Sequence, residues 1–174
     1  MHQTKLTLIL VITMQIFDNF LSQEQFAWLK TNLESENFMW CFNRDLSEQF
    51  NLNLHQHLIF NSNKDYFNDS INLINPLNSF LKYYHLRYSV VYSILYNKER
   101  KIGRLYNQPH HKAILCLYST DGYFKVNNKE VSMVQNRLLF FKNDSYSITT
   151  CANNKRNLLL VNHYALSHEL KYNL

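Results

Sequence analysis

The chain has 174 residues, of which 46% are hydrophobic and 15% aromatic, so it can bury a sizeable core and global disorder is excluded. Gly and Pro number two each, which excludes collagen-like chains, Gly-rich linkers, the Walker A loop and the dinucleotide-binding glycine fingerprint. The net charge of +5 is spread along the chain, and the clearest basic cluster, Lys98, Arg100, Lys101 and Arg104, reads either as a phosphate-facing patch or as a solvated loop.

The N-terminal stretch Leu6 to Ile12 is apolar and follows Lys5. It is too short to span a bilayer, and no A-x-A-like cleavage site follows it at Thr13-Met14-Gln15. Residues 1–13 are read as an N-terminal extension or a strand, and residues 14–174 as one domain. The three cysteines, Cys41, Cys116 and Cys151, are far apart and odd in number, so no disulfide framework is expected. The expected location is cytoplasmic and not membrane-bound, with secretion as the alternative.

Ser22 with Gln25 forms a capping-box pattern, and Phe26, Leu29 and Leu33 follow at helical spacing, which predicts a helix from Ser22 to about Ser35. Phe38 to Phe42 reads as a short strand. Residues 43–69 are Asn-rich and weakly periodic, and are expected to be loop with a short strand around His57 to Phe60. A second helix is predicted from about Ser70 to Tyr84, with Ile74, Leu77, Phe80, Leu81 and Tyr84 on one face and Pro76 in its first turns.

From Leu86 the period becomes two. Leu86, Tyr88, Val90, Tyr92, Ile94 and Tyr96 alternate with Arg87, Ser89, Val91, Ser93 and Leu95, which predicts a strand with one apolar face. Further strands are expected at residues 113–118, 123–126, 130–134, 137–141, 146–150 and 157–164. Thr120-Asp121-Gly122 and Asn127-Asn128 mark turns between them. The fold expected is mainly β with N-terminal helices (α+β), a sandwich or barrel of antiparallel strands.

The ordered segments Ile16 to Ser22, Phe38-Met39-Trp40, Pro109-His110, Ala113 to Tyr123, Val131-Ser132, Asn136 to Phe141, Ile148 to Cys151, Arg156 and Val161 to Tyr164 resemble the Fe(II)/2-oxoglutarate-dependent dioxygenases. The similarity is to their prolyl 4-hydroxylase-like branch, common in viral and marine microbial sequences. It implies a double-stranded β-helix, the cupin-like jelly roll. It also implies Fe(II) and 2-oxoglutarate as cofactors and hydroxylation of a small molecule, nucleotide or protein side chain.

Iron in such sites is held by two His and one carboxylate, and a basic residue forks onto the distal carboxylate of 2-oxoglutarate. The resemblance places Arg156 at that basic position, with Arg87 as a second cofactor-binding candidate on the polar face of its strand. The distal His position falls on Tyr146, ten positions before Arg156, and a neutral Tyr is a poor Fe(II) ligand. The His-x-Asp position takes one of two registers. The first puts Ile102-Gly103-Arg104 there, with His110 just before the next strand. The second puts His110-His111-Lys112 there, with Lys112 in place of the carboxylate. Under either register the carboxylate is gone.

Three functions follow. The chain is a degenerate family member without the triad; or an active hydroxylase with displaced ligands, His110 and His111 with a carboxylate such as Asp121 or Asp144; or a non-catalytic β-sandwich module binding an anion, peptide or nucleic acid. His55 and His57 share a strand face at spacing two, but no third ligand accompanies them. Tyr92, Cys116 and Cys151 read as core.

Overall fold

The structure is a computed structural model that describes residues 14–42, 44, 54–62, 66–67, 69–75, 77, 84–94, 102–103, 111–142, 146–149 and 157–166. Within these, the helix α1 spans Gln23–Glu34. The Ser22 hydroxyl accepts from the Gln25 N–H, and the Gln25 side chain accepts in return from the Ser22 N–H, so the capping box read in the sequence is formed. Phe26, Leu29 and Leu33 make up its buried face.

The strands are β1 (Gln15–Phe17), β2 (Cys41–Phe42), β3 (Leu54–Asn61), β4 (Tyr66–Phe67), β5 (Tyr84–Ile94), β6 (Ile102–Gly103), β7 (His111–Cys116), β8 (Tyr123–Val126), β9 (Lys129–Ser132), β10 (Leu138–Phe141), β11 (Tyr146–Thr149) and β12 (Asn157–Leu166). The larger sheet runs β1-β10-β7-β12-β5-β3-β2, with β4 also on β3, and the smaller runs β6-β11-β8-β9. All pairings are antiparallel. The turn at Asn127-Asn128 joins β8 to β9 with φ of 48° and 64°, the left-handed pair that a tight hairpin needs and that Asn tolerates.

Two expectations change. The predicted helix from Ser70 to Tyr84 begins as a 3-10 segment over Asp69–Ile74 and is α-helical at Asn75 and Leu77; residues 76 and 78–83 lie outside the described residues, and Tyr84 already belongs to β5. Leu73, Ile74 and Leu77 are buried as their spacing suggested, yet Tyr84 and His85 continue the β5 ladder, pairing with Leu166 and Ala165 of β12. The second change is that the short strand around His57 to Phe60 is the eight-residue β3. Its polar residues hide it from a hydropathy reading, but cross-strand pairing with β5 holds it in the sheet.

The larger sheet carries two apolar layers. On its outer face Val91, Leu115, Phe140 and Leu160 pack under Phe26, Leu29 and Leu33 of α1. On its inner face Val90, Tyr92, Ile114, Phe141 and Val161 meet Phe124, Val126, Tyr146 and Ile148 of the smaller sheet. The space between the sheets is therefore dry and apolar apart from a few polar side chains.

The start of the chain is tied down by two clips. Asn136, at φ 58°, accepts from the Leu21 N–H (3.0 Å) and donates to the Leu21 carbonyl (2.8 Å). Arg137 forks onto both carboxylate oxygens of Asp18, at 2.5 and 2.9 Å, joining the end of β1 to the start of β10. The Arg137 guanidinium holds the Asp18 carboxyl below its ordinary value of 3.8. A lowered carboxyl contributes stability that is present above about pH 4 and is lost as pH falls through the folded value. Asp18→Asn is therefore expected to lower the urea midpoint slightly at pH 6 and by less as the pH is taken below about 4. A variant equally destabilised across that range would show that the clip owes nothing to charge.

No helix among the described residues is long and apolar enough to cross a membrane.

Candidate functional site

Strand alternation decides which side chains enter the space between the sheets. On β7, Ile114 and Cys116 face inward while Ala113 and Leu115 face α1. Lys112 is therefore inward and His111 outward. His111 is buried and stacks on Phe140, ring centroids 5.8 Å apart, in the outer layer.

Lys112 is fully buried. Its Nζ lies 5.6 Å from the ring centroid of Tyr146 and 5.9 Å from that of Phe141. The two rings meet edge to face at 5.5 Å. An ammonium over ring faces is attracted by their negative quadrupole, worth about 2 kcal/mol or more when water is excluded.

The sheet registers extend this into a row. Lys112 pairs with Phe141 of β10 on one side and His163 of β12 on the other, and His163 pairs with Tyr88 of β5. The His163 ring stands edge-on to Tyr88, centroids 5.6 Å apart. Tyr146 reaches the row from β11 of the opposite sheet. Burial alone pushes its phenol well above the ordinary value, so it is neutral at any ordinary pH.

Of the residues singled out in the sequence, Tyr146 lies at the centre of this row, and Lys112 stands beside it. Arg87 is half-buried at the irregularity where the β5–β12 register shifts, between Tyr88, which pairs with His163, and Leu86, which pairs with Tyr164. The inner face of β5 is the stripe Tyr88, Val90, Tyr92 and Ile94, whereas Val91 packs against the helix layer. Leu86, expected on that stripe, packs instead with the helix-side layer, so the strand changes face at the irregularity where Arg87 sits. Arg156, His110, Arg104, Asp144, Tyr96 and Cys151 lie outside the described residues, as do residues 1–13.

Ile102-Gly103 forms β6 and pairs with Thr149 and Ile148 of β11, the strand that carries Tyr146. The first register thus sets the motif position and the distal position on neighbouring strands. The second would set them on opposite sheets, with His111 turned away from Lys112.

The remaining candidates are structural. His57 donates through Nδ1 to the Met39 carbonyl at 2.6 Å, and packs on Phe38 at 4.3 Å. Because a carbonyl only accepts, Nδ1 carries the proton. His55 lies against Phe42 at 5.5 Å. Burial pushes the Cys116 thiol up to about 12, so it is inert. Among the described residues, no three His, Cys, Asp or Glu side chains come together as a metal would need.

The row itself escaped the sequence reading. Its one signal was Lys112, a lone Lys directly before an apolar strand and taken as the strand's boundary. It is in fact the second residue of a strand buried throughout.

No family model matches the chain, and no curated protein matches it in sequence. Solved structures do. HygX from Streptomyces hygroscopicus, with nickel and 2-oxoglutarate bound, is 12% identical with a TM-score of 0.58, over 90% of this chain and 84% of that one. A viral collagen prolyl hydroxylase from Paramecium Bursaria Chlorella virus-1 is 11% identical with a TM-score of 0.57, over 87% and 88%. A prolyl-4-hydroxylase from Pseudomonas putida is 14% identical with a TM-score of 0.52, over 88% and 92%. At such identity the likeness is one of architecture: the chain has the double-stranded β-helix, or jelly-roll, fold found in 2-oxoglutarate/Fe(II) oxygenases.

Proposed function

We propose that this chain is a degenerate 2-oxoglutarate/Fe(II) dioxygenase-like protein that no longer assembles the His-x-Asp and distal His triad. The supporting observation is the Lys112 ammonium against the buried, neutral Tyr146, at the position where the resemblance expects the distal His. A neutral phenol donates weakly to Fe(II), and an ammonium about two residue lengths away repels a dication in a low-dielectric interior. The described donors therefore do not fit ferrous iron, and no catalytic step is derived through it.

The same charge favours a second reading, a non-catalytic module for a small anion or an anionic peptide. Lys112 supplies the positive charge that a metal would otherwise bring, and Arg87 lies next to Tyr88 in the row. The expected setting is cytoplasmic, in line with the sparse, unpaired cysteines.

A thermal-shift titration tests this. A ligand that binds only the folded state raises Tm, by an amount corresponding to about 2.7 kcal/mol at a hundred times Kd. Mn(II), a redox-stable stand-in for Fe(II), is expected to give no shift. A Mn(II)-dependent shift that grows with 2-oxoglutarate and disappears in Arg156→Ala overturns the degenerate reading in favour of displaced ligands. A shift with 2-oxoglutarate alone supports the anion module. Binding that weakens steeply with salt and prefers oligonucleotides identifies a nucleic-acid partner instead.

A further inference from the structure

On the helix side of the large sheet, away from the row of Lys112 and Tyr146, a cleft of about 310 Å³ opens between the C-terminal half of α1 and the 3-10 segment Asp69–Ile74. One helix ridge supplies Trp28, Asn32 and Ser35, at spacings of four and three; the following loop adds Asn37 and Phe38, and the 3-10 segment adds Asn72. Among the described residues, no ionisable side chain lines it.

Trp28 is 46% exposed, an unusual position for the largest side chain on a helix whose other face is fully buried. Asn32 spends its amide N–H on the Trp28 carbonyl at 2.8 Å, and Asn72 accepts from Asn75 at 3.4 Å. The Asn32 carbonyl oxygen, the Asn72 amide N–H groups and the whole Asn37 carboxamide keep their hydrogen-bonding capacity for another partner. The floor is fixed: Phe38 packs on Trp40 at 4.9 Å and on His57 at 4.3 Å.

We propose that this cleft binds an uncharged saccharide. Its volume suits a mono- or disaccharide. An indole face carries negative quadrupole density that attracts the polarised C–H face of a sugar ring. Carboxamides both donate and accept, which matches hydroxyls that do the same. The described lining is uncharged, which disfavours a carboxylate, a phosphate or an ammonium ligand. It also disfavours a nucleic acid, whose backbone would call for Lys or Arg beside the stacked base. A preset floor lowers the ordering cost of binding. This site is independent of the inter-sheet row, so either proposal stands if the other fails.

The test uses the full chain, an array of neutral glycans, and titrations with methyl glucoside, methyl mannoside and methyl galactoside followed by Trp fluorescence and amide NMR. The expected result is saturable binding of at least one neutral glycan, weakened at least tenfold by Trp28→Ala and by Asn37→Ala and unchanged by added salt. Both substitutions are at exposed positions, and an unaltered far-UV spectrum verifies that each variant is folded. No glycan bound with Kd below about 10 mM overturns the proposal. So does glycan binding that survives Trp28→Ala, or a preference for oligothymidine that collapses with salt.

Discussion

Lys112→Glu is expected to destabilise the fold by at least about 3 kcal/mol more than Lys112→Met, read as the difference between their urea midpoints at equal m-value. The position is fully buried, between the rings of Phe141 and Tyr146. Met keeps most of the stem's volume and loses the attraction of the ammonium to the rings, a cost of about 1–2 kcal/mol from that attraction. Glu turns the local charge over. A carboxylate there faces two negative ring faces and has been removed from water, and protonation relieves only part of that cost. The ordering Lys, Met, Glu would establish that the interior of this jelly roll is built around a positive charge. Equal losses for Met and Glu would show that Lys112 acts only by filling space. The same pair of variants bears on ligand binding: if the row anchors an anion, Lys112→Met abolishes stabilisation by 2-oxoglutarate while the protein stays folded.

Asn136→Ala is expected to cost about 3–5 kcal/mol, a fall of roughly 10 °C in Tm. Asn136 is 8% exposed, and its one carboxamide satisfies both backbone groups of Leu21, 115 residues away along the chain. Removing it leaves a buried N–H and a buried carbonyl without partners, each worth about 1–3 kcal/mol. Ala also bears the left-handed backbone worse than Asn does; this adds about 1 kcal/mol. Asn136→Gly separates the two effects, since it relieves the backbone but not the orphaned groups. It is expected to recover about 1 kcal/mol relative to Ala. A Gly variant as stable as the native protein would mean that the hydrogen bonds to Leu21 contribute nothing net.

Local signals carried much of the fold. The capping box at Ser22 and Gln25 set the start of α1, the period-two stripe Tyr88 to Ile94 set β5, and Asn127-Asn128 set a hairpin. Each is written in neighbouring residues. What stayed hidden depends on distant pairing. Tyr84 looked helical because its face matched Ile74 and Leu77, but its partner is Leu166 in β12. The polar residues of β3 resemble a loop until β5 is placed beside them. In the site, the sequence singled out Tyr146 by its spacing of ten from Arg156, whereas the opposite facing of His111 and Lys112 follows only once β7 is known to begin at His111. The row Tyr88–His163–Lys112–Phe141 could not be read, because it exists only across the three registers that join four strands. A buried Lys also contradicts the hydropathy rule by which cores are recognised.

The place of β12 has a consequence for how the protein is made. The last described strand does not close an edge; it lies between β5 and β7, paired along its length with β5 and from Leu159 to Tyr164 with β7. While the ribosome is still synthesising residues 157–166, β5 and β7 have no strand between them, and both apolar layers of the large sheet are open to solvent. Such a chain folds by closing long loops late, which is slow and leaves strand edges exposed for that interval. Exposure to aggregation is therefore expected during biosynthesis, in the interval before residues 157–166 are available to pair with β5 and β7.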